Sequence, residues 1–135
     1  MEDHHLEADL QRLFRLSEFR PLQREIVRAV LANEDVLAVL ATGSGKSLCY
    51  QLPAQLLSGL TVVVSPLLAL MLDQLQSLAE LGLGGSAAML APSQQSRAEQ
   101  RAVLDRALAH ELRLLFVAPE SLPRVCSQLL DTLYA

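Results

Sequence analysis

Thr42-Gly43-Ser44-Gly45-Lys46-Ser47 is the stretch of this sequence whose residue types and spacing most directly suggest chemistry. Glycines at 43 and 45 allow the backbone to curl so that successive N–H groups face inward, a concave anion site at the positive end of whatever helix follows. A lysine beside that concavity reaches the outer phosphates of a nucleotide, and the Ser47 hydroxyl is suited to holding Mg²⁺. Lys46 is the only lysine in the chain, against ten arginines. A compact ammonium suits a phosphate cradle, where a planar guanidinium does not fit the same space. The strict phosphate-loop pattern asks for glycine at position 40, where this chain has Leu40; the inner glycines and the Lys-Ser pair carry most of the mechanism. The bland alternative, a polar Gly-Ser turn, is disfavoured by a β-like run before the loop and a helical pattern after it.

Those flanking elements read as follows. Helical spacing joins Leu6, Leu10, Leu13 and Phe14, and again Leu22, Ile26, Val27, Val30 and Leu31 behind Pro21. Val36 to Leu40 is the expected first strand, the loop follows, and a helix runs to about Ser58. Thr61 to Ser65 reads as a strand leading through Pro66 into a helix from about Leu67 to Glu80. Gly82, Gly84 and Gly85 break the chain before a weaker strand near Ala87 to Leu90. A helix through Ala98 and Leu108, a strand from Arg113 to Val117 and a last helix from Leu122 to Tyr134 complete the pattern. Strands alternating with helices of this length mean βαβ units, a parallel sheet and right-handed crossovers, so the fold class is α/β with helices on both faces. No linker or repeat divides the chain, and one domain spanning residues 1–135 is expected, with residues 1–33 as N-terminal helices.

Bulk properties narrow the function classes. At 135 residues, 51% hydrophobic, the chain can bury a core. A formal net charge of −4 removes the general attraction that drives unspecific nucleic-acid binding, so any DNA contact must be local. The acidic start MEDHHLEADL lacks a signal peptide's order, and the longest apolar stretch, interrupted by Ser65 and Pro66, is too short for a membrane span. Cys49 and Cys126 read as two reduced core thiols of a cytosolic protein, a disulfide being the minority alternative. His4, His5 and His110 lack partners at ligand spacing. Arg24 with Arg28, and Arg97 with Arg101, read as solvated helix faces, and Glu2, Asp3, Glu7 and Asp9 as a solvated terminus. On spacing alone Gln23 is an exposed residue in the first turn of a helix.

Four segments, in order, resemble the RecQ family of DNA helicases: FRPLQ (Phe19 to Gln23), LATGSGKSLCYQLPA (Leu40 to Ala54), VVVSPLLALMLDQ (Val62 to Gln74) and LLFVAPESL (Leu114 to Leu122). The resemblance implies a RecA-like P-loop NTPase domain, the first of two lobes that clamp ATP and step 3′ to 5′ along single-stranded or forked DNA. It assigns Arg20 and Gln23 to adenine, and Thr42, Gly43, Ser44, Gly45, Lys46 and Ser47 to the phosphates and Mg²⁺, with Lys46 and Ser47 as the catalytic pair. Ser65, Pro66, Pro119 and Glu120 fall on DNA-facing loops. Departures from the family pattern are Arg15 and Leu22 where glycine is usual, Leu16 where an aromatic often stacks, Leu72 for lysine, Ser121 for arginine and Ala91-Pro92 near the usual Asn-Ser. Two of them remove positive charge near the expected DNA path, so weak DNA affinity is expected. The sequence contains no DExH motif. The resemblance therefore implies the ATP-binding lobe of a cytoplasmic or nuclear helicase, lacking motif II and the second RecA-like lobe. The rival readings are a truncated, non-catalytic nucleotide-binding or interaction module, and some other P-loop phosphotransferase, which has no need of FRPLQ upstream of the loop.

Overall fold

The computed structural model describes residues 5–133, which fall into two compact units divided between Ser58 and Gly59. In the first unit, α1 (Leu6–Phe14) buries Leu6, Leu10 and Phe14, one stripe at helical spacing. It ends at Arg15, whose φ of 59° is left-handed and whose N–H donates to the Gln11 carbonyl at 3.0 Å. A side chain at such a helix terminus costs strain that glycine avoids. The chain re-enters helix at α2 (Gln23–Leu31) through Leu22, also left-handed at φ 72°. Both positions where the family pattern prefers glycine are thus positions where the backbone asks for it.

Glu7 on α1 accepts a hydrogen bond from Arg24 Nε on α2 at 2.6 Å, tying the two helices. The guanidinium holds the Glu7 carboxyl below the usual glutamate range. Next comes α3 (Leu48–Leu56), which packs against α1 and α2 and buries Leu48, Cys49, Leu52 and Ala54. The expected strand from Val36 to Leu40 is not formed: the segment has no ladder partner among the described residues, and Leu37 and Val39 are 93% and 86% exposed. Strand propensity reflects fit to a pleated, half-buried surface, and without a neighbour an apolar alternation stays a loop.

In the second unit β1 (Thr61–Val64), β2 (Ala87–Leu90) and β3 (Leu114–Val117) make a parallel sheet in the order β1-β3-β2, with Thr61 and Ala87 flanking Leu114 in register. The strand from Arg113 starts one residue later than its pattern indicated, and the Thr61 strand ends at Val64. β3 is central and wholly buried, as a parallel strand covered on both faces must be. α4 (Leu68–Glu80) carries the chain from β1 across to β2, and α5 (Arg97–Leu108) brings it back to β3. Right-handed crossovers running in opposite directions place these helices on opposite faces. On the α5 face, Ala88, Leu90, Leu115 and Val117 meet Leu104, Ala107, Val125 and Leu129 in one core. Ser96 and Glu99 cap α5 reciprocally, at 3.1 and 2.9 Å, and these bonds lower the Glu99 pKa.

After β3, a short α6 (Leu122–Val125) runs through a π-helical turn, Cys126–Leu130, into α7 (Asp131–Leu133), which together occupy the span expected as one helix up to its last residue, Tyr134, which lies outside the described residues, as do His4, Glu2 and Asp3. The π turn leaves Cys126 exposed, correcting its placement in the core; Cys49 is buried, and burial pushes its thiol pKa up. Both thiols are free. No helix among the described residues is long and apolar enough to cross a membrane.

Candidate functional site

The phosphate loop lies within the first unit and leads directly into α3. Gly43 and Gly45 sit at φ +81° and +80°, the left-handed conformation that only glycine adopts without strain. Ser44 N–H donates to the Ala41 carbonyl at 3.1 Å, closing a turn, and Cys49 N–H to the Lys46 carbonyl at 3.0 Å, opening the helix. Among the described residues the backbone N–H groups of Gly45, Lys46 and Ser47 have no hydrogen-bond partner. Such donors at a helix start are the features an anion needs. Ser47 stands at the N-cap of α3 with no capping bond from its side chain, so its hydroxyl is available to a ligand. Lys46 is exposed and pairs with no carboxylate among the described residues. Free donors, an unpaired ammonium and an uncommitted hydroxyl fit a magnesium-bound polyphosphate.

Arg20 and Gln23 reach the same loop. Arg20 Nη1 donates to the Gly43 carbonyl at 2.7 Å, and Gln23 Nε2 to the Gly45 carbonyl at 2.8 Å. Gln23 Oε1 accepts from the Arg20 backbone N–H at 2.8 Å. Gln23 is 3% exposed, not the exposed first-turn residue that spacing alone suggests. A Cβ at Gly45 would collide with Gln23 Nε2, so the loop rests directly on this amide. Each end of the amide keeps a further position, since Nε2 carries two hydrogens and Oε1 two lone pairs.

Beside these residues a cleft of about 390 Å³ is lined by Glu7, Glu18, Phe19, Arg20, Leu22 and Arg24, among others. Glu7 and Arg24 are the residues that sequence reading missed: it placed both on solvated surface, and a pair separated by 17 positions on different helices leaves no local signal. Leu16, where the family pattern often has an aromatic, is 47% exposed. Lys46 also lines a smaller pocket of about 270 Å³ with Ile26, Val36, Leu40, Cys49 and Tyr50.

The four residues expected on DNA-facing loops all fall in the second unit, at the carboxyl ends of two neighbouring strands. Ser65 and Pro66 follow β1, Pro119 and Glu120 follow β3, and Ser65 N–H donates to the Val117 carbonyl at 3.1 Å. The Ala91-Pro92 turn follows β2 at the same end, where Ala118 N–H donates to the Leu90 carbonyl. Carboxyl ends of parallel strands are where open α/β sheets place their ligands. Pro66, Pro119 and Glu120 are exposed, while Ser65 Oγ is engaged by the Leu67 N–H at 3.2 Å. Ser121, in the family's arginine position, is 3% exposed and its hydroxyl has no partner among the described residues.

A family model described as DEAD/DEAH box helicase matches residues 20–133. The ATP-dependent DNA helicase RecQ of Synechocystis sp. is 50% identical over 117 residues, 87% of this chain and 24% of that protein. The putative ATP-dependent DNA helicase Q1 of Caenorhabditis briggsae is 44% identical over 116 residues, covering 85% of this chain and 18% of that one. RecQ of Haemophilus influenzae is 42% identical over 111 residues, 82% of this chain and 17% of its own length. The chain spans less than a quarter of the length of these relatives.

Proposed function

Since this chain belongs to the DEAD/DEAH box helicase family, with RecQ and Q1 helicases as its relatives, we propose that it is the ATP-binding lobe of a RecQ-like DNA helicase moving 3′ to 5′. The observation that carries the reading is the phosphate loop itself, with N–H donors left unpaired at the start of α3 and FRPLQ side chains seated on its carbonyls. On this reading Gly43 and Gly45 shape the cradle, with Thr42 and Ser44 completing it. Lys46 neutralises the outer phosphates and Ser47 holds Mg²⁺, which when bound spreads the charge of the β and γ oxygens. Arg20 and Gln23 meet adenine. The whole of residues 1–135 acts as one incomplete RecA-like domain that closes on ATP against a second lobe. Ser65, Pro66, Pro119 and Glu120 contact single-stranded or forked DNA, weakly in this chain, since the net charge is −4 and an acidic residue stands among them.

Adenine selectivity tests the reading. A glutamine amide pairs with adenine N6–H₂ and N7, while guanine presents acceptors at both positions, so its amide oxygen would face another acceptor. Titration with fluorescent ATP and GTP analogues is expected to show an ATP preference that collapses in Gln23→Ala. Equal affinity for the two nucleotides in the native chain removes Gln23 from base recognition.

A further inference from the structure

We infer that Arg20 and Gln23 act as positioning residues for the phosphate loop, holding it in its anion-accepting shape from the carbonyl side and so supporting triphosphate binding whether or not a base is present. The inference rests on the nucleotide reading above and adds a role that adenine contact does not supply. In a trans peptide the C=O and N–H point in opposite directions. The Gln23 bond to the Gly45 carbonyl therefore fixes the same peptide's N–H, that of Lys46, on the far side, where it has no protein partner. The Arg20 bond to the Gly43 carbonyl fixes the peptide two places toward the N-terminus, whose N–H belongs to Ser44 and closes the turn onto Ala41.

Both anchored residues are glycines at positive φ, and glycine peptides are the ones freest to rotate. Without an anchor, each can turn its carbonyl into the concavity, where it would oppose an anion. Gln23 is suited to hold them: it is buried, its Oε1 is pinned by the Arg20 N–H, and its Nε2 lies against Gly45 with no room for a Cβ between them. Within the loop the Arg20 and Gln23 side chains thus bond carbonyls only, leaving its free N–H donors for the ligand.

The experiment uses Mg²⁺ with inorganic triphosphate, a probe with no base or ribose, on the native chain, Gln23→Met, Arg20→Met, Arg12→Met and Lys46→Ala. Gln23→Met keeps volume and net charge but loses both hydrogen bonds. It is expected to weaken triphosphate binding about tenfold, the scale of one or two hydrogen bonds that hold a single loop conformation. ATP and GTP should weaken by at least the same factor. Arg20→Met, at an exposed position that the fold tolerates, is expected to weaken triphosphate binding by more than Arg12→Met, which removes an equal charge from the exposed face of α1 where Arg12 pairs with Asp9. Unchanged or tighter triphosphate binding in folded Gln23→Met, or equal losses in Arg20→Met and Arg12→Met, overturns the inference while leaving the nucleotide site in place. Should the native chain bind triphosphate no better than Lys46→Ala, the nucleotide reading falls and takes the inference with it.

Discussion

Alanine placed at Gly45 and at Gly43 separates backbone strain from contact, because the two glycines share a conformation and differ in surroundings. Both are left-handed, at φ +80° and +81°, so either substitution incurs the penalty of an L-residue in that region, about 1–2 kcal/mol. At Gly43 a Cβ points into open space and nothing further is lost. At Gly45 it meets Gln23 Nε2, and the amide must leave the Gly45 carbonyl to make room. Because Gln23 is buried, the displaced amide leaves polar atoms short of partners, a further cost of about 1–3 kcal/mol. Thermal or urea unfolding of the two variants should therefore rank Gly45→Ala as the more damaging by that increment. In a Gln23→Ala background the obstacle is gone, and the difference should shrink to the strain common to both. Equal losses for the two glycines, or a Gly45→Ala penalty that adds fully to that of Gln23→Ala, would refute the placement of Gln23 under the loop.

Ser121→Ala removes a buried hydroxyl that has no partner among the described residues and is expected to leave stability unchanged or raise it by about 1 kcal/mol, read from the midpoint of chemical unfolding. Glu7 has its pKa lowered by Arg24, so the stability it contributes is present above the ordinary glutamate pKa and is lost as pH falls through the lower folded value; Glu7→Gln should flatten that acid limb, and an unchanged limb would count against the α1–α2 tie. A phosphate-release assay on these 135 residues, which contain no DExH motif, should show no turnover stimulated by single-stranded DNA, because a transition state lacking motif II carboxylates and an arginine finger has little to stabilise it; the finger alone is typically worth about 10³–10⁵ in rate.

The parts of this fold legible in the sequence are those whose signal is local. The stripe Leu6, Leu10 and Phe14 and the apolar run Leu114–Val117 each carry their signal within a few residues or one strand. The phosphate loop was legible for the same reason, since its glycines and its Lys-Ser pair are contiguous. Val36 to Leu40 carries a strand pattern and forms no strand because a strand needs a neighbour, and a pattern names the propensity without naming the partner. The burial of Gln23 depends on a glycine 22 positions away, and the Glu7–Arg24 pair joins two helices; neither distance shows in composition or period. Cys126 reads as a core residue by type, yet in the π-helical turn it is exposed while Val125 and Leu129 on either side of it are buried. The family resemblance supplied what spacing did not: it marked positions 15 and 22 as glycine positions, and the left-handed backbone at Arg15 and Leu22 explains why.

Calorimetric titration of the folded chain with Mg-ATP, beside the Lys46→Ala variant, tests the central claim most directly. Binding in the micromolar to millimolar range that is lost with the Lys46 ammonium is the result the loop's unpaired donors predict. Absence of any heat at millimolar nucleotide, or binding indifferent to Lys46→Ala, would contradict it.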